Sequence, residues 1–330
     1  MRTKLVYVVT SSDKDIYLEQ FFVSSYSAKY YMPDCYIILL TDVETEKSFS
    51  EKRKQELQYA DEIISINLDA KKNTAQKRSR LLKTNVRNYV KGDFLFIDCD
   101  TIIAKPLYEI DNCEYEMAAC WDSHSLFKNN PYRNLCITDC KKINFNVEKE
   151  DIYFNSGVIY CKDTENTHNF YERWNKNYIE GSSKVKMDQP SFAKTNFELN
   201  HFIHKLDDVW NCELKHGIKY LKEAKVVHYL CTNKSQNNDI QLFLLNDENI
   251  IRRVKDTAEI FPEIKETIVD PFYGIAGLTH CFAGQDVFFF RTFAYRYLRS
   301  LYKNGPYGIL IFFKRCINKL QSIIIKHNNL

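Results

Sequence analysis

Nine glycines and seven prolines in 330 residues are too few for a collagenous or linker-dominated chain. No run approaches the roughly 18 consecutive apolar residues of a membrane-spanning helix; the best candidate, Ile309 to Phe313, is far shorter. The eleven cysteines form no C-x-x-C pair, and an odd number in a chain of this length argues against a disulfide framework and for reduced thiols, so a cytoplasmic location is expected. Acidic residues are absent after Val287, where eight Lys or Arg stand alone, so the remainder carries 38 basic against 43 acidic residues. What is present in quantity is apolar and aromatic: 45% hydrophobic and 14% aromatic content supports a large folded core.

The pattern along the chain is that of strands separated by helices. Lys4 to Thr10 reads as a buried strand, entered directly from Met1 without a cleavage site, and Ser11, Ser12 and Asp13 are suited to cap a following helix with Leu18, Phe22 and Tyr26 on one face. Pro33-Asp34 supplies a stop, Cys35 to Leu40 and Ile63 to Leu68 read as strands, and Ala75 to Val90 as one basic helix. Phe94 to Ile97 is strongly apolar. Further strands are expected at Met117 to Trp121 and Val158 to Cys161, and helices at Thr167 to Tyr178 and Gln189 to Lys194. This order predicts an α/β fold of βαβ units whose parallel sheet becomes mixed in the second half, with a domain seam near Asp270-Pro271: residues 1–270 catalytic, 271–330 a helical basic appendage.

The chemistry is concentrated in Phe94-Leu-Phe-Ile-Asp-Cys-Asp, where a hydrophobic strand delivers Asp98 and Asp100 at its C-terminal end. Residues i and i+2 of an extended backbone point the same way, and open α/β sheets bind ligands beyond these strand ends. Paired carboxylates there suit Mg²⁺ or Mn²⁺, which commonly binds through one or two carboxylates plus substrate phosphates. An isolated D-x-D is more often a surface turn, but two charges after four apolar residues are poorly explained by solvation alone.

The early β-α-β pattern, Asp98-Cys99-Asp100, Tyr153-Phe-Asn-Ser-Gly-Val, Met187-Asp-Gln-Pro and Val226-Val-His-Tyr occur in an order that resembles retaining glycosyltransferases of the GT-A fold, especially the glycogenin and lipopolysaccharide galactosyltransferase-like group. The resemblance covers about residues 4 to 235 and implies a Rossmann-like nucleotide-diphospho-sugar transferase domain. It also implies that Asp98, Asp100 and His228 bind the cation, that Lys234 contacts the diphosphate, that Ser11 and Asp13 grip the nucleoside, and that Arg80 and Lys83 are the basic pair before the D-x-D strand. Asn155, Asp188 and Gln189 match acceptor-side and anomeric-centre positions, whereas Pro190 and Cys231 depart from the family pattern. Read without the resemblance, Ser11 and Asp13 are also simple helix caps, Arg80 and Lys83 a solvated helix face, His228 a core histidine, and Phe-Asn-Ser-Gly a turn at a strand entry.

The implied reaction is hexose transfer from UDP-glucose or UDP-galactose to a saccharide or glycolipid acceptor with retention. A sugar-1-phosphate nucleotidyltransferase is an alternative, weakened because Thr10-Ser-Ser-Asp replaces a Gly-rich phosphate loop; a non-catalytic nucleotide-sugar or membrane-surface binding protein is another. In the tail, Phe288, Phe293, Tyr295 and Tyr297 alternate with Arg291, Arg296 and Arg299. This suits an interfacial helix on an anionic membrane surface, placing the protein peripherally on the inner face of the cell membrane, better than nucleic acid; a hairpin packed on the catalytic domain is the alternative.

Overall fold

The structure, a computed structural model, describes residues 1–229, 244–275 and 292–304. The chain divides into two compact units, Met1–Gly277 and Leu278–Leu330. The described part of the second unit is the helix Phe293–Asn304.

The first unit is built on a seven-stranded mixed sheet. Its strands are β1 (Lys4–Val9), β2 (Ile37–Asp42), β3 (Glu62–Ile66), β4 (Phe94–Ile97), β6 (Met117–Trp121), β7 (Phe154–Cys161) and β8 (His204–Lys205), in the order β3-β2-β1-β4-β7-β6-β8. The first four pair in parallel, while β7 runs antiparallel to β4 and β6. A second sheet joins β5 (Thr101–Ile103), β10 (Val226–His228) and β9 (Cys212–Glu213), with β10 central. Every residue of β2, β4 and β7 is buried, as expected for strands covered on both faces. Alternation sorts them cleanly: Leu5, Tyr7, Leu39, Leu95 and Ile97 enter one core layer, and Val6, Ile38, Leu40, Phe94 and Phe96 the other. Each large apolar side chain so buried contributes about 1.5–3 kcal/mol.

Three local expectations are corrected. The helix after β1 begins at Tyr17 rather than at Ser11, because Asp15 takes the Ser11 and Ser12 hydroxyls and the Ser12 and Tyr17 amides and folds residues 11–15 into a loop. The basic helix is not continuous to Val90: Ala75–Lys83 stops where the Thr84 hydroxyl donates back to the Leu81 carbonyl, and a short helix Val86–Tyr89 follows. Phe154-Asn-Ser-Gly is no turn but the first half of β7.

Candidate active site

β4 ends at Ile97, and the next residues keep the alternation its buried run started. Asp98 N–H still donates to the Gly157 carbonyl across the β4–β7 pair at 2.8 Å. Cys99 turns inward, with its thiol toward the Val8 carbonyl, so Asp98 and Asp100 share the opposite side and remain partly exposed. Antiparallel pairing of β10 with β5 sets His228 opposite Thr101, beside Asp100. Ligand atoms of Asp98, Asp100 and His228 all lie within 4.8 Å of one another, the one such group among the described residues. Two hard carboxylates and an imidazole in this span fit a divalent cation.

The positive groups come from the helix Ala75–Lys83. Lys83 Nζ lies 3.0 and 3.2 Å from the two Asp98 oxygens and 3.4 Å from Asp188. Arg80 pairs with Asp188 at 3.0 Å. Neither cation is on a freely solvated face: Lys83 is buried and Arg80 largely so. Burial pushes the Asp98 carboxyl upward, as does Asp100 beside it, against the pull of Lys83. Burial also opposes ionisation of Asp188, but Lys83, Arg80 and the Ser156 hydroxyl outweigh it and hold that carboxyl down at about 2. The His228 imidazole is raised: burial disfavours its charge, but Asp100 more than compensates.

Asp188 precedes the helix Gln189–Glu198, where Pro190 occupies the first turn and its missing N–H costs nothing. Gln189 Nε2 donates to Asp122 Oδ1 at 2.8 Å and Asn155 Nδ2 to the same oxygen at 3.2 Å. Asp122, at the C-terminal end of β6, and Asn211, beside His228, were both missed in the sequence. Asp122 follows an apolar strand as Asp98 does, a signal open to the same logic; Asn211 carried none. Gly157 is required by close approach, since a Cβ there would stand 2.4 Å from His228 Cε1.

Ser11 and Asp13 lie in the loop beyond β1. Ser11 donates to Asp15 and accepts from Arg53, and Asp13 is 3.5 Å from the same guanidinium, which comes from the helix Glu51–Lys54, so both are engaged by Arg53 and neither caps the helix that starts at Tyr17. Lys234 and Cys231 lie outside the described residues.

No family model and no curated protein matches the chain. Solved structures do. The galactosyltransferase LgtC in complex with donor and acceptor sugar analogues covers 80% of this chain and 99% of its own length at 14% identity and a TM-score of 0.52. The bifunctional glycosyltransferase WbbM in its apo form covers 80% of this chain and 50% of its own, at 16% identity and a TM-score of 0.51. The mixed sheet with helices on both faces is therefore the GT-A fold. Within that fold the chain resembles LgtC.

Proposed function

We propose that the protein is a glycosyltransferase that moves a hexose, from UDP-glucose or UDP-galactose, to a saccharide or glycolipid acceptor with retention. The observation that carries this reading is the Asp98–Asp100–His228 group set beside Lys83 and Arg80. A nucleoside diphosphate needs such cations around it. Mn²⁺ or Mg²⁺ on the three ligands would supply Lewis-acid neutralisation of charge on the departing diphosphate. Arg80 and Lys83 add fixed positive charge from largely buried side chains, where solvent screens it least. Asp122 fixes the Gln189 amide, which supports the assignment of Gln189, with Asp188 and Asn155, to the sugar-facing side. LgtC binds donor and acceptor sugar analogues on the same fold. Incubation with each UDP-hexose and Mn²⁺ is expected to release UDP, to stop on chelation and to recover when Mn²⁺ or Mg²⁺ is restored. Release of pyrophosphate when UTP and hexose 1-phosphate are supplied in place of the UDP-hexose, with no UDP released from the latter, establishes the nucleotidyltransferase alternative; donor binding without turnover, with saccharide and lipid acceptors supplied, establishes the non-catalytic one.

We further propose that the basic tail holds the enzyme at an anionic membrane surface on the cytoplasmic side. On Phe293–Asn304, exposed Phe293 and Tyr297 stack with their ring centroids 5.9 Å apart, and Arg296 and Arg299 are exposed on the same helix. Aromatic rings entering the headgroup boundary beside cations suit an interfacial helix. No helix among the described residues is long and apolar enough to cross a membrane. Removing residues after Asp286 is expected to abolish sedimentation with phosphatidylglycerol vesicles, and salt to weaken sedimentation of the full chain. Binding that persists unchanged and insensitive to salt would overturn this role.

A further inference from the structure

Behind the candidate cation site runs a buried chain of amides whose hydrogen-bond direction can be read without ambiguity. The backbone N–H of Gly157 can only donate, so the Asn155 atom 2.7 Å from it is the amide oxygen. Asn155 Nδ2 consequently faces Asp122 Oδ1, where a carboxylate accepts it at 3.2 Å. The same Asn155 oxygen also receives Asn211 Nδ2 at 3.0 Å. That turns Asn211 Oδ1 toward His228, 2.9 Å from Nδ1. An amide oxygen only accepts, so the proton of that bond resides on Nδ1. The other ring nitrogen, Nε2, faces Asp100 at 3.2 Å.

We propose that Asn211 is a positioning residue that holds His228 in the Nδ1–H tautomer and so keeps the Nε2 lone pair directed at the divalent cation. The inference rests on the cation reading above and deepens it. Gly157 and Asp122 set the polarity, Asn155 transmits it, and Asn211 delivers it to the ring. Gln189 shares the Asp122 oxygen at the far end, so the sugar-facing amide and the cation ligand belong to one hydrogen-bonded array. Asn211 and His228 are both buried, and water is no ready substitute for the missing acceptor if Asn211 is lost. Nothing would then hold the proton on Nδ1, and Asp100 beside Nε2 would favour the Nε2–H tautomer, which has no lone pair on the nitrogen that faces the cation site.

Two measurements on the full chain, neither needing donor or turnover, test this. Mn²⁺ titration followed by electron paramagnetic resonance is expected to show affinity falling about 10–100-fold in Asn211→Leu, a near-isosteric change. In the Mg²⁺-saturated parent, ¹⁵N-resolved histidine spectra are expected to place the His228 proton on Nδ1. Unchanged Mn²⁺ affinity in folded Asn211→Leu overturns the positioning role alone. Should that variant not fold, the parent spectrum still decides, since a proton on Nε2 with bare Nδ1 overturns it equally. A parent that binds neither ion removes both this role and the cation reading.

Discussion

Asp100→Asn is expected to lower metal-dependent donor turnover by about 10²–10³-fold, in line with the loss of one charge-stabilising group at a reacting centre, while the fold remains intact. Asp100 is the cleaner of the two aspartates to change. Asp98 also anchors Lys83, so its replacement leaves that buried ammonium with Asp188 alone, at 3.4 Å, as well as removing a ligand. Asp100 instead faces His228 from a partly exposed position, and its charge works against ionisation of Asp98. Neutralising it relieves that repulsion, which offsets the lost histidine contact in the metal-free protein. UDP release at several Mn²⁺ concentrations, together with the urea midpoint, checks both halves. Parental turnover in a folded Asp100→Asn protein would contradict the assigned chemistry.

Asp188→Ala is expected to be the most destabilising single change in the site, by about 3–5 kcal/mol, because it leaves Arg80 and Lys83 buried without their shared partner. The pH dependence has a definite sign. A carboxyl held at about 2 against an ordinary 3.8 contributes roughly 2 kcal/mol, fully present above pH 4 and lost as the pH falls toward 2. Glu213, raised to about 8 by burial and by Asp122, acts oppositely and elsewhere, lowering stability as the pH rises from about 4.5 toward 8. The acid limb of a denaturation profile is therefore expected to flatten in the variant while the neutral limb keeps its slope. An unaltered acid limb would show that the Asp188 ion pairs add nothing to stability.

Much of the fold was legible because it depends on local periodicity. The apolar runs at Lys4–Val9, Ile37–Asp42 and Phe94–Ile97 became parallel neighbours, and the change of direction in the second half appears where β7 pairs antiparallel with β4. The acid pair was legible for the same reason, since two-residue alternation and an apolar lead-in determine where its side chains go. Ser11 to Asp15 misled because Asp15 accepts from both serine hydroxyls and from the Ser12 and Tyr17 amides, which ties the would-be capping residues into a loop ahead of the helix. The glycine in Phe-Asn-Ser-Gly looks like a turn residue in sequence, but the imidazole against it arrives from a strand far away in the chain. Asn211 was invisible for a related reason: its neighbours, Asn155 and His228, meet it only through tertiary pairing.

The small sheet of β5, β9 and β10 carries a consequence for assembly. Asp100 leads into one edge strand and His228 ends the central one, so a nascent chain lacking β10 possesses the acidic pair but only two of its three donors. On the cation reading proposed above, full-strength ion capture would wait until β10 has docked. A divalent cation held by all three donors would favour the docked arrangement by an amount that grows with the logarithm of its concentration over its dissociation constant, and on the function proposed above the ion that prepares the leaving group would also clasp β10 to the first half of the molecule.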